Sequence, residues 1–456
     1  MNDQFWRPEN FDYGGGATES QIHPVVVVAM LLIILVILIA RRRQVLVAFL
    51  FLSMLVTYDQ VIVLGTTHFT VRRLLVMAGC VRLLIEKLKS GGKLFPGGLN
   101  TIDKVFIVWA VYRFVAAITL FHVLAAVPLQ IAFLIAALGG YFFLRYLIRD
   151  DEDISTAAKT FLALVLMAAA CMPIEHFRGL NAFSYIHRGP PLIPAVRHGD
   201  FRAQAFFGHA ILAGCFGATL LPLAYGLWKS GKARILAAVA MVGATLMVFF
   251  SASSTPVGAY AGGVLALSFW PLRRYMRQVR WGMVLTLLAL ALVMKAPPWF
   301  LIARFNFTGS SDSYGRAMLV DNFVRHIGDW WLIGTNQNYT WGESMWDLSN
   351  QFVGEGETGG LVGFICAIAF FSLSFGRLGR MRRQVEGDKK QEWFCWCVGA
   401  VMVAHLFAFF GASYFDQTQI WWFASLAMVT AATASLKPQE KWETVEEPSF
   451  KAAATV

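Results

Sequence analysis

The run PVVVVAMLLIILVILIA, from Pro24 to Ala40, carries no polar side chain and ends on Arg41, Arg42 and Arg43. An apolar stretch of that length closed by a basic triplet is the pattern of a helix that crosses a hydrocarbon layer, which takes about 20 residues, and stops where its cations reach water. Further apolar runs lie at 45 to 64, 69 to 85, 105 to 124, 129 to 148, 160 to 177, 205 to 228, 235 to 254, 256 to 271, 281 to 296, 359 to 376, 393 to 411 and 419 to 436, thirteen in all. The third carries Arg72, Arg73 and Arg82, so the expected count is 12 to 13, with that segment either spanning or lying at the interface. Composition agrees: 57% hydrophobic and 15% charged residues depart from the soluble average of about 45–50% and 25%. The expected fold is all-α, a polytopic transmembrane helical bundle with one large external loop containing short helices. A soluble enzyme or a nucleic-acid-binding module is excluded, and the net charge of +11 reads as topology.

Lysine and arginine collect in alternate connections. Segments 41 to 43, 86 to 104, 149 to 159, 229 to 234, 272 to 280 and 377 to 392 hold 22 of them, whereas 65 to 68, 125 to 128 and 412 to 418 hold none. By the positive-inside rule the first set faces the cytoplasm. The two longest connections, 178 to 204 and 297 to 358, then lie outside, with an external N-terminal segment at 1 to 23, a transmembrane domain at 24 to 436 and a cytoplasmic tail at 437 to 456. The N-terminal segment lacks a basic start and a cleavage site and is expected to be retained. No cytoplasmic segment is long enough for a nucleotide-binding domain. The six cysteines all fall in apolar runs and are expected to behave as buried hydrophobes without disulfides. No Cys/His/carboxylate cluster has metal-ligand spacing, so neither a metal nor a cofactor is expected.

The 297 to 358 loop is unusual. Trp299, Trp330, Trp331, Trp341 and Trp346 sit among Asp312, Arg316, Asp321, Glu343, Asp347, Glu355 and Glu357. Indole rings anchor at membrane interfaces and also stack on sugar faces, and both readings stand at this point.

Four segments between 200 and 375 form an ordered set: Arg202-Ala-Gln-Ala-Phe-Phe-Gly208-His209-Ala-Ile-Leu-Ala-Gly214; Ser251-Ala-Ser-Ser-Thr255; Ser313-Tyr-Gly-Arg316; and Leu332-Ile-Gly-Thr335 followed by Ser349-Asn-Gln-Phe352, Glu357, Gly359 and Gly360. In order and spacing they resemble the O-antigen polymerase and ligase superfamily, bacterial integral membrane proteins of the inner (cytoplasmic) membrane. Ser349 stands where ligase-type members present a histidine, Ala210 where proline is common, and the turn at Gly334 lacks a second glycine. The first departure favours the polymerase-like members.

The resemblance implies a metal-independent inverting glycosyltransferase. It would polymerise polyprenyl (undecaprenyl) diphosphate-linked repeat units of an exopolysaccharide or O-antigen at the outer, periplasmic face, alongside chain-length-regulating or export proteins. Its ligase variant transfers the lipid-linked glycan to lipid A-core or protein. Guanidinium groups suit such a reaction because they stabilise a departing diphosphate with a permanent charge and forked donors. Arg202 and Arg316 are the candidates for that role, and Glu343, Asp347 and Glu357 for the acid/base work, with Glu355 and His326 as alternatives. Arg197, His209, Asn350, Trp341 and Trp346 are the candidate substrate-binding residues. Plainer readings accompany them: Arg202 snorkelling at a span end, Arg316 paired with Asp312, His209 a core histidine, Asn350 a helix cap. From another class, a transporter or channel would show matched halves with broken spans, and only one half carries the long loop.

The charge pattern predicts that Ser310→Cys and Trp346→Cys react with a membrane-impermeant thiol reagent from outside intact cells while Gly387→Cys does not. The opposite labelling would remove the lipid-linked mechanism.

Overall fold

The computed structural model describes residues 19–57, 60–65, 67–89, 94–95, 97–121, 126–188, 192–197, 199–304, 313–343, 345 and 347–436. Trp346, Asp312, Ser310 and the tail from residue 437 lie outside the described residues. The chain is mostly helical, with two short antiparallel hairpins, and its apolar helices mark it as a membrane protein.

The first half comprises α1 (Pro24–Ile39), α2 (Arg42–Leu55), α3 (Val71–Lys89), α4 (Thr101–Phe121), α5 (Ala126–Leu134), α6 (Gly140–Leu147) and α7 (Asp151–Arg178). A π-helical turn, Ile135–Gly139, joins α5 to α6 into one rod. The second half holds α8 (Ala210–Ser230), α9 (Arg234–Phe250), α10 (Ser254–Ser268), α11 (Met276–Val293), α12 (Ser313–Arg325), α13 (Ile327–Trp330), α14 (Gln351–Gln384), α15 (Lys389–Phe409) and α16 (Gln417–Ala432). Each of the thirteen apolar runs overlaps a helix among the described residues. Among the described residues seven helical segments are long and apolar enough to cross a membrane by length and composition, and α1 and α9 are shorter apolar helices.

The run 45 to 64 is not helical throughout. Helix α2 ends at Leu55, and the β-branched stretch Val61–Leu64 (β1) pairs antiparallel with Thr67–Thr70 (β2). Gly65 makes the reversal with φ +62, a conformation that costs glycine nothing and other residues about 1–2 kcal/mol.

Helices α8 and α16 form the centre. All of α16 except Gln419 is buried, and Trp421 donates from Nε1 to Thr219 Oγ1 of α8 at 2.8 Å. Helix α11 buries none of its residues. From Trp281 onward its side chains are apolar apart from Thr286, and an apolar helix with a bare circumference needs an apolar solvent.

One end of the bundle gathers the basic connections. Arg42 and Arg43 of α2 meet Asp153 of α7, whose side chain is fully buried. Asp151 accepts from Gln391 Nε2 of α15 at 3.0 Å, Arg273 meets Glu392 at 3.0 Å and Arg274 meets Glu386 at 3.1 Å. Arg145 of α6 lies inside the bundle. It is 1% exposed and 3.6 Å from Asp103, which also accepts from Tyr141. The Asp103 carboxylate on α4 lies against the guanidinium inside the bundle and offsets part of the cost of its burial.

Asp153 is buried but Arg42 and Arg43 keep 22% and 46% of their side chains exposed, so losing the carboxylate costs less than the roughly 3–5 kcal/mol of a wholly buried pair. Asp153→Ala should therefore lower the thermal midpoint of the detergent-solubilised protein by several degrees, read from tryptophan fluorescence or aggregation onset. An unchanged midpoint would show that this cluster is not structural.

Candidate functional site

The opposite end is built from the C-termini of α7 and α9, the N-termini of α8, α10, α14 and α16, and the segment 410–417. Here the quoted sequence segments meet. Ala203 N donates to Phe250 O at 3.0 Å, and Arg202 Nε donates to Ser251 O at 3.4 Å. Gly214 is required by close packing, since a Cβ there would lie 2.5 Å from Ser251 Oγ. Thr255 Oγ1 donates to Gly411 O at 2.9 Å, and Asn350 Nδ2 to Phe410 O at 3.4 Å. Tyr414 N donates to Gln351 Oε1 and Gln417 Nε2 to Phe206 O, at 2.5 and 2.6 Å. Segments some two hundred residues apart in sequence thus share one floor.

Arg202 stands on a loop held from below. Ala205, in the left-handed region with φ 50, donates its backbone N–H to Glu175 Oε2 at 2.8 Å. Asn181 Nδ2 bridges Glu175 Oε1 and Ala205 O, both at 2.8 Å. Neither Glu175 nor Asn181 was legible as part of the site, because both sit in or beside α7, well before the first quoted segment. The only signal was an acid near the end of an apolar run, a costly place for an unpaired one.

Arg202 is 5% exposed, and its Nη2 has no hydrogen-bond partner among the described residues. Burial draws its pKa down to about 10, and the positive charges of Arg197 and Arg316 act in the same direction. Three guanidinium groups therefore share one electrostatic neighbourhood. Arg197 lies on the β3–β4 hairpin (Val196–Arg197 with Asp200–Phe201) and Arg316 is half-buried on α12. His209 caps α8, its Nδ1 accepting from Ile211 N at 3.1 Å. Burial first, then Arg202 and Arg197, push its pKa down to about 4, so the ring is neutral near pH 7.

The candidate acids separate by environment. Glu343 and Asp347 are exposed. Glu355 is engaged, accepting from Trp109 Nε1 and Gln351 Nε2 at 2.6 Å each and lying 3.6 Å from Arg113 Nη1. That contact places Arg113 of α4 against α14. Glu357 is 3% exposed, its Oε2 accepts from Asn338 Nδ2 at 3.0 Å, and its Oε1 has no hydrogen-bond partner among the described residues.

Asn350 caps α14, its Oδ1 accepting from Phe352 N at 2.9 Å and Val353 N at 3.3 Å. Trp341 offers no bare ring, since it stacks on His326 at 5.2 Å and donates to Asp329. With Leu319, Phe323, Trp330, Met345 and Val353 it forms the loop's own small core. Trp331 is the mostly exposed indole of the four that are described. Ser349 is half-buried.

The turn at Leu332–Thr335 and the break in α14 are one unit. Thr335 N donates to Glu357 O and Leu361 N to Trp331 O, both at 2.8 Å. Gly359 and Gly360 leave helical geometry, and a Cβ on Gly334 or Gly360 would collide with the carbonyl oxygens of Glu357 and Leu332 respectively. The break sets Glu357 apart from the apolar stretch that follows.

Among the described residues no group of three or more His, Cys, Asp or Glu side chains is placed to hold a metal ion. No protein-family model and no curated protein matches the chain.

His209 gives a pH prediction. Its folded pKa of about 4 lies below the ordinary value of about 6.5, so between those values the unfolded chain binds a proton that the folded one does not. The stability from a neutral His209 is full above about pH 6.5 and is lost as the pH falls towards 4. His209→Asn keeps a capping side chain and removes the titration. Its thermal midpoint should fall less steeply than that of the parent between pH 6.5 and 4, and parallel curves would contradict the assignment.

Proposed function

We propose that this chain is a metal-independent inverting glycosyltransferase of the inner membrane that polymerises polyprenyl diphosphate-linked glycan repeat units at the outer face. In this reading the helices make 12 to 13 spans, and loops 178 to 204 and 297 to 358 face outward. The observation that carries the proposal is the buried Arg202, with an unpartnered Nη2 and within electrostatic reach of Arg197 and Arg316, at the end of the bundle opposite the paired basic connections. A cluster of guanidinium groups at a membrane surface is an electrostatic cost in the empty protein and a gain once a multiply charged anion is seated.

The chemistry follows from that charge. The acceptor hydroxyl oxygen attacks the anomeric carbon from the side opposite the diphosphate. The carbon–oxygen bond to the diphosphate breaks, and its electron pair moves onto a phosphate oxygen whose new charge Arg202 and Arg316 hold. The hydroxyl proton passes to a carboxylate. Glu357 suits that step best, having one oxygen fixed by Asn338 and the other without a partner, whereas Glu355 is occupied by Arg113. Ser349, in place of a histidine, is not basic near neutral pH and takes no proton. That substitution supports polymerisation over the ligase variant of the same chemistry.

Replacing Arg202 or Arg316 with Ala should lower polymer yield by about 10²-fold or more at matched membrane levels. Lys should rescue poorly because it loses the forked donors. Glu357→Gln should cost about 10²-fold and Ser349→Ala little. The readout is polymer formed by cells or membranes from a radiolabelled lipid-linked donor. Full activity in Arg316→Ala would remove its assigned role, and full activity in Glu357→Gln would move the base elsewhere.

A further inference from the structure

Helix α10 begins at Ser254, three residues after the Ser251 carbonyl that Arg202 Nε holds, and its N-cap is incomplete. Ser253 has extended backbone geometry, φ −142 and ψ 137, as an N-cap should, yet its hydroxyl makes no cap hydrogen bond. Ser253 is 1% exposed, and its Oγ has no hydrogen-bond partner among the described residues. Serine at this position normally closes onto the first-turn amides, contributing about 1 kcal/mol. Here a buried hydroxyl is left open at the positive end of a 15-residue helix.

Three further observations point the same way. The residue before it, Ala252, is left-handed with φ 44, and that alanine gains nothing local from a conformation costing about 1–3 kcal/mol. Arg202 is tied to this same loop through Ser251 O, and its Nη2 is the second buried donor left open there. Arg197 and Arg316 add positive charge to that neighbourhood, while Arg197 and Arg202 meet no carboxylate among the described residues. Open donors, a helix N-terminus and surplus cations together are the requirements of a phosphate seat.

We infer that the N-terminus of α10, with Ser253 Oγ and Arg202 Nη2 as paired donors, is the seat of a phosphate group of a diphosphate ligand. The inference rests on the proposed function and names the substrate group that this part of the site takes. Ser253 is then a binding residue that also sets the position of the leaving group, because a hydroxyl on the helix axis fixes one phosphate and leaves the second to Arg316.

The test uses the full-length protein in detergent and inorganic pyrophosphate as the probe, with binding read by calorimetry and thermal shift. Ser253→Ala should weaken binding by about tenfold or more, as expected for one lost bond to a charged ligand, without lowering the midpoint of the empty protein, since the hydroxyl has no partner to lose. Ser253→Asp should cap α10 itself, raise or hold the midpoint, and abolish binding by placing a carboxylate in the seat. Farnesyl diphosphate should compete with pyrophosphate, and phosphatidylglycerol should not, which separates a diphosphate site from general attraction to anionic lipid. Unchanged pyrophosphate affinity in both Ser253 variants, or equal competition by phosphatidylglycerol, overturns the seat. Pyrophosphate binding that depends on Ser253 in a protein that makes no polymer upholds the seat and overturns the glycan reading. Polymerisation with no dependence on Ser253 does the reverse.

Discussion

The contact between the Glu175 carboxylate and the backbone of the Arg202 loop determines what the site end of the bundle can be. A carboxylate buried among helices costs several kcal/mol unless its oxygens are satisfied, and here Ala205 N and Asn181 Nδ2 satisfy them. The same contact steadies a backbone that alanine would not choose, with φ 50 at Ala205. Ala203 N to Phe250 O then ties the loop to the end of α9. With those three anchors in place, Arg202 has little freedom left to turn its guanidinium away from Ser251 and towards water.

The two ends of the bundle both pair charges, but only one leaves part of its charge open. At one end arginines find acids: Arg42 and Arg43 with Asp153, Arg273 with Glu392, Arg274 with Glu386. Each such pair closes a connection between helices. At the other end the charges of Arg197 and Arg316 add to the cost of burying Arg202, and open donors remain on Arg202 and Ser253. Local inconsistency of this kind gathers where a protein gives up stability for function. It also separates Glu355, whose ion pair with Arg113 holds α14 against α4, from Glu357, which holds nothing with one of its oxygens.

The helices were legible because hydrophobic run length is a one-dimensional signal, and each of the thirteen runs, from Pro24 to Leu436, overlaps a helix among the described residues. The sharing of one end by the basic connections was legible for the same reason. The pairing inside the bundle was not, since Asp103 and Arg145, or Trp109 and Glu355, are distant in sequence and meet only through helix packing. Sequence spacing also misled at 45 to 64, where β-branched residues after Leu55 read as more span and instead form a hairpin edge. In the site, arginines and Asn350 were visible as residue types in an ordered set. Trp341 was visible too, but a tryptophan looks the same in sequence whether it faces a ligand or fills a loop core, and the partner that decides it, His326, lies a helix away.

The broken helix α14 and the 331–335 turn carry a consequence for how such a chain can change. The amide of Leu361 and the carbonyl of Glu357 are released from the helix by Gly359 and Gly360, and the turn supplies a mate for each. Both approaches are so close that neither Gly334 nor Gly360 has room for a methyl group. A length change between residues 336 and 349 leaves both bonds in register, because it lies wholly inside the ring that they close, and what it disturbs is the stretch's own packing through Asn338, Trp341 and Met345. A shift by one residue at either side of the ring unpairs both bonds at once. The two ends of the intervening stretch are therefore a lock that only a coordinated double change can move.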